Sequence, residues 1–162
     1  GLSVLDDLQA WIVGAGGVAL RTVDGGENWN EQPTGTTKTL FDVQFIDAKR
    51  GWAVGAEGTI LATTNGGNRW RALESGTTED LNDVWFVSTK EGWVAGNRGT
   101  LLHTRDGGST WEDVSLKTRA NLTRLFFTAP DCGWVVGANG VIFKYQMTDS
   151  TTRPAISMQE RR

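Results

Sequence analysis

Seven of the eight tryptophans stand on two interleaved grids of period 41: Trp11, Trp52, Trp93 and Trp134 on one, Trp29, Trp70 and Trp111 on the other. A fixed period near 40 means that one supersecondary unit has been copied in tandem, each copy burying its apolar face against its neighbours. Four copies fill nearly all of the 162 residues, which leaves no room for a second domain. Function has to be sought in what differs between the copies.

In register, the copies begin with Leu40 to Ile46, Leu81 to Val87 and Leu122 to Thr128, with Leu2 to Leu5 as a truncated first member. These runs are rich in β-branched and aromatic residues, as strands are. Trp-Ile-Val-Gly14, Trp-Ala-Val-Gly55, Trp-Val-Ala-Gly96 and Trp-Val-Val-Gly137 follow, each with a second glycine at 17, 58, 99 or 140 that marks a tight turn. A third strand ends in Thr22-x-Asp24-x-Gly26-x-x-Trp29, Thr63-x-Asn65-x-Gly67-x-x-Trp70 and Thr104-x-Asp106-x-Gly108-x-x-Trp111. The Asp or Asn side chain can accept backbone N–H groups a few residues on, the Gly-Gly pair supplies positive φ, and the tryptophan starts a fourth strand. Asp24, Asn65 and Asp106 are therefore read as turn formers.

Four-stranded antiparallel units at this period predict an all-β β-propeller with blades at about 2–35, 40–76, 81–117 and 122–145, within a propeller region 1–145. The turn motif matches the Asp-box, or BNR repeat, of sialidase-like propellers. The fourth copy breaks the pattern, with Met147, Asp149 and Thr152 where Asp106, Gly108 and Trp111 would recur. Its outer strand is expected from elsewhere, a second chain or a missing N-terminal part, and the polar tail 146–162 is expected to be disordered or a binding arm. Three arrangements follow: part of a larger ring, half of an eight-blade ring completed by a second copy, or a closed four-blade ring.

A net charge of -3 gives no global basic field for nucleic acid or anionic lipid. No apolar stretch approaches a membrane span, and no targeting segment is expected in a chain opening on Gly1. The single cysteine, Cys132, excludes an internal disulfide framework. His103 is the only histidine, so neither a metal cluster nor a triad can use more than one imidazole. Glycosidases need two facing carboxylates or, in sialidases, a tyrosine with an arginine triad, and the only tyrosine, Tyr145, has no such company in sequence. The expectation is a chain with no catalytic residues, metal or cofactor.

The copies differ most in their cations. Arg98 occupies the variable position of the glycine turn, Lys117 and Arg119 lie in a link, and Arg124 replaces Asp42 and Asp83 in the inner strand. Arg21 and Lys144 share a third-strand column with Ala62 and His103. These six cations are the candidate patch for a carboxylate-bearing protein partner.

With Leu-x-x-Val-x-Phe, Gly-Trp-x-Val-Gly, Gly-Thr-Leu-Leu-x-Thr and Asp-Gly-Gly-x-x-Trp in order, residues 2 to 145 resemble the photosystem II stability and assembly factors. These are seven-bladed propellers of the thylakoid lumen, with bacterial relatives. Gly140 to Tyr145 resembles that family's C-terminal blade, whose outer strand comes from the N-terminal region. The resemblance implies a non-enzymatic scaffold that holds newly made reaction-centre subunits through an arginine-rich patch, in the thylakoid lumen or another extracytoplasmic space. The alternative is an extracytoplasmic carbohydrate-active or carbohydrate-binding propeller.

Overall fold

The computed structural model describes residues 1–146 and 155–158. The first sheet comprises β1 (Leu2–Val4), β2 (Ala10–Val13), β3 (Ala19–Thr22) and β4 (Asn30–Glu31). The second comprises β5 (Leu40–Phe45), β6 (Gly51–Gly55), β7 (Ile60–Thr63) and β8 (Arg71–Leu73). The third holds β9 (Leu81–Phe86), β10 (Gly92–Gly96), β11 (Leu101–Thr104) and β12 (Glu112–Asp113). In the fourth are β13 (Leu122–Ala129), β14 (Cys132–Gly137), β15 (Ile142–Gln146) and β16 (Ala155–Met158). Each sheet is a four-stranded antiparallel meander, the blade expected from the repeat.

The turns explain why the chain reverses where it does. Between the second and third strands, Gly58 has φ +70°, and a Cβ there would sit 2.0 Å from the Thr77 carbonyl oxygen. Only glycine fits so close an approach. At the next turn Thr63 Oγ1 accepts the Gly67 N–H at 3.0 Å while Asn65 Oδ1 accepts the Arg69 N–H at 2.9 Å. Thr22 with Asp24 and Thr104 with Asp106 repeat this geometry. Each such turn also bonds the first turn of its own blade, as Gly66 N–H does to the Lys49 carbonyl, so these two turns share one face of the arc.

Blades are joined by three recurring contacts. Trp11 stacks on Phe45, Trp52 on Phe86 and Trp93 on Phe127, with centroids 3.7, 3.6 and 3.8 Å apart. The indole N–H of Trp11 donates to the Gly66 carbonyl at 2.9 Å and that of Trp52 to the Gly107 carbonyl at 3.0 Å, each in the next blade. Along the inner strands Ser3 accepts the Phe45 N–H, Asp42 the Val84 N–H, Gln44 the Phe86 N–H and Asp83 the Leu125 N–H. A strand edge otherwise left unpaired is thereby satisfied by side chains. The core is distributed over these interfaces, as a repeat fold requires.

The expectation that the fourth outer strand must come from another chain or from a missing part is corrected. The chain's own Ala155–Met158 pairs with β15 in the register Phe143↔Met158 to Gln146↔Ala155. A shift by 41 looks for this strand beside Thr152, whereas the pairing segment lies later, after a connection longer than in the other blades. The exposed edge of β15 offers N–H and C=O groups to whichever extended segment reaches it. The expectation for the rest of the tail, 147–154 and 159–162, lies outside the described residues. Among the described residues the fourth sheet does not pack back on the first, so the arc is open.

Candidate functional site

A cleft of about 420 Å³ opens between the second and third blades, on the face carrying the Asp-box turns. One small residue marks its place. In the register of each blade, Trp11 lies opposite Arg21, Trp52 opposite Ala62 and Trp93 opposite His103. Arg21 covers the Trp11 ring at 5.2 Å and His103 stacks on Trp93 at 4.6 Å. Ala62 is shorter than Arg21 or His103, and the cleft lies on this side of Trp52, which itself stays buried at 4% exposure. Arg50 and Thr89 from first turns, Asn65, Arg69 and Trp70 from one Asp-box, Arg71 from β8 and Asp106 from the next Asp-box complete the lining.

Three arginines therefore surround a tryptophan-floored cleft. Arg50 is tied to Asp47 by a 2.7 Å contact, whereas Arg69 and Arg71 are exposed and pair with no acid among the described residues. Asp106 is the one carboxylate in the lining, and it is already engaged: hydrogen bonds from the Thr110 side chain and N–H hold its pKa below the usual carboxylate range. An apolar floor with free guanidinium groups at the rim suits a segment that carries a flat or apolar side chain next to a carboxylate. Sequence reasoning missed these arginines because each lies in a different turn or strand. The signal available was Ala62 in a column otherwise holding long or aromatic side chains.

The six cations singled out by sequence occupy four places. Arg98, Lys117 and Arg119 lie on the face of the glycine turns and links, exposed. Arg98 contacts Glu79 at 3.6 Å, and Lys38 pairs with Glu57 at 3.1 Å, so this face interleaves both signs. Arg21 and Lys144 belong to the first and fourth blades, at opposite ends of the arc. Arg124 faces the central groove, 3.4 Å from Asp83.

That groove, about 360 Å³, is lined by inner-strand residues of all four blades. Burial, and then the neighbouring Asp42 carboxylate, push the Asp83 pKa up to about 7. Asp42 is raised as well, by burial. Each of the two carboxylates accepts an N–H of the next blade. His103 is buried against Trp93 with Nε2 3.1 Å from Glu91 Oε1, and burial lowers its pKa. The Tyr145 side chain is buried too, and burial raises its pKa. Among the described residues no group of three or more His, Cys, Asp or Glu converges on a metal position, and no helix is long and apolar enough to cross a membrane.

The family model of the photosynthesis system II assembly factor YCF48 matches residues 32–120, more than half of the chain. The chain belongs to the YCF48 family. The solved structure of YCF48 bound to D1 peptide aligns with it at 23% identity and a TM-score of 0.60, over 91% of this chain and 63% of that one. This chain thus spans less than two thirds of that YCF48. The GH74 enzyme of Niastella koreensis aligns at 16% identity and a TM-score of 0.79, over 98% of this chain and 29% of the enzyme. The computationally designed Ika4 protein aligns at 13% identity and a TM-score of 0.72, over 90% and 89% of the two chains. At these identities the three structures share the fold. No curated protein sequence matches.

Every residue lining the cleft, from Arg50 to Gly107, falls inside the segment matched to the YCF48 family. Arg98, Lys117 and Arg119 also fall inside it, and Arg21, Arg124 and Lys144 fall outside.

Proposed function

We propose that this chain is a protein-binding member of the YCF48 family that holds a segment of a photosystem II reaction-centre subunit during assembly, in the thylakoid lumen or an equivalent extracytoplasmic space. The observation that carries the reading is the coincidence of the arginine-rimmed, tryptophan-floored cleft with the family-matched segment. YCF48 itself has been solved with a D1 peptide, which makes such a peptide the natural ligand to test. In this reading buried Trp52 and Trp70 back the base of the cleft, while Arg69 and Arg71 receive a carboxylate in a bidentate manner. Arg98, Lys117 and Arg119 offer a second, weaker basic region on the opposite face.

The carbohydrate-active alternative rests on the fold shared with GH74 enzymes. Its chemistry meets an obstacle in the groove. Asp42 and Asp83 lie beside one another in the groove, and each already accepts a backbone N–H of the next blade, so neither is a free carboxylate of the facing pair a glycosidase needs. Fluorescence anisotropy with a labelled D1 peptide tests the proposal. Saturable binding that weakens at least about tenfold, roughly 1.4 kcal/mol, in Arg69→Glu/Arg71→Glu is expected. Absence of binding together with release of reducing sugar from a polysaccharide would overturn it.

A further inference from the structure

The first turn and the third strand of a blade meet beside its second-strand tryptophan, and the first three blades fill that place differently. In the first blade Asp6 Oδ1 accepts the Leu8 and Gln9 N–H groups, and its Oδ2 accepts the Gln9 side-chain amide at 3.0 Å. Gln9 Oε1, thus aimed, accepts Arg21 Nη2 at 3.3 Å. In the third blade Glu91, at the place of Gln9, lies 3.1 Å from His103 Nε2. Both blades have one arrangement, in which an acceptor from the turn meets a nitrogen-bearing side chain that lies on the tryptophan ring.

The second blade keeps this turn and inverts the pair. Asp47 Oδ1 accepts the Lys49 and Arg50 N–H groups, both at 2.8 Å, and its Oδ2 accepts Arg50 Nε at 2.7 Å. Asp47 therefore aims Arg50 as Asp6 aims Gln9. Arg50 brings donors where Gln9 and Glu91 bring acceptors, and Ala62, at the place of Arg21 and His103, brings no polar group. Among the described residues the two terminal nitrogens of Arg50 have no hydrogen-bond partner. Arg50 and Ala62 line the same cleft.

We propose that Arg50, positioned by Asp47, is a second acceptor-binding group of the cleft: it takes a carboxylate of the bound segment seated beside Ala62, where Arg21 and His103 stand in the neighbouring blades. The inference rests on the reading of the cleft as a peptide site and adds a requirement on the ligand. The segment carries two carboxylates, one for Arg69 and Arg71 and one for Arg50. A guanidinium bonded through Nε keeps both terminal nitrogens for a planar two-oxygen group, which makes a carboxylate the fitting acceptor. Asp47 is a positioning residue, since a side chain already held in place loses less freedom when the ligand arrives.

Anisotropy tests this with a labelled D1 peptide and with the same peptide carrying each carboxylate in turn as its amide, beside Tm measurements. Arg50→Met is expected to weaken binding about tenfold, as loss of a charge-assisted hydrogen bond does, and to add no loss when one particular peptide carboxylate is an amide. Asp47→Asn keeps an oxygen for the two turn N–H groups and drops the charge that holds Nε. It is expected to weaken binding about threefold, and not at all in the Arg50→Met background. Ala62→Glu supplies the absent carboxylate from the chain itself. It is expected to exclude the peptide and to raise the Tm by about 1–3 °C, a gain that Arg50→Met abolishes. Wild-type affinity in Arg50→Met, with the loss in Arg69→Glu/Arg71→Glu intact, would overturn this inference and leave the cleft reading standing. So would an equal Arg50→Met loss against every amide peptide. A wild-type chain that binds no D1 peptide would overturn both.

Discussion

Trp52 and Phe86 belong to successive blades, yet their rings lie 3.6 Å apart and within 7° of parallel. The same indole donates across the interface to the Gly107 carbonyl, so one side chain supplies both packing and direction. Trp52→Ala is expected to lower stability by about 3–5 kcal/mol, the usual cost of emptying a buried aromatic site. Trp52→Phe, which keeps a ring but loses the N–H, is expected to lose about 1–2 kcal/mol. Urea unfolding followed by circular dichroism checks both, and a Trp52→Phe variant as stable as the wild type would show that the hydrogen bond matters little.

Thr63 is buried and its Oγ1 is the partner of the Gly67 N–H, itself buried. Thr63→Val preserves the shape and removes the acceptor. A loss of about 1–3 kcal/mol is expected, because the N–H is left without a partner away from water. An unchanged midpoint in thermal unfolding would mean that the turn is held by its glycines alone.

Asp83 sets a pH dependence whose sign is fixed by its environment. Its folded pKa, about 7, lies above the unfolded value near 4, so the folded state holds the proton more tightly. The resulting stability is complete below about pH 4 and is lost as the pH rises through about 7. The Tm at pH 5.5 should therefore exceed that at pH 8, and Asp83→Asn, which can still accept the Leu125 N–H, should flatten the difference. An equally steep dependence in the variant would remove Asp83 from this role.

Two glycines with nearly the same φ are predicted to differ in their tolerance of alanine. Gly140, at φ +74°, has nothing within 4 Å of the place a Cβ would take, so Gly140→Ala should cost about 1–2 kcal/mol for the left-handed backbone alone. Gly58, at φ +70°, would place its Cβ 2.0 Å from a carbonyl oxygen and should lose clearly more. Comparable Tm values for the two variants would contradict the close packing of the second blade against its link.

The blades were legible because the features that make them are local and repeated: a strand pattern, a Gly turn, a Thr-x-Asp-x-Gly turn and a tryptophan at constant spacing. What crosses between blades was less so. The Asp42 to Val84 and Asp83 to Leu125 contacts join residues 42 apart, and an acid in an inner strand carries no mark that it will accept a neighbour's N–H. The outer strand at Ala155–Met158 escaped because it departs from the period that revealed the others. The cleft escaped for a further reason: it lies where Ala62 is short, and sequence inspection attends to the charges that are present.

The most direct test of the cleft as the peptide site is to close it with the third blade's own solution. Ala62→His places over Trp52 the side chain that covers Trp93 in the next blade. The affinity for a labelled D1 peptide, measured by anisotropy beside the Tm, is expected to fall at least about tenfold, roughly 1.4 kcal/mol, while the fold is retained. Wild-type affinity in a folded Ala62→His variant would contradict the assignment of the site.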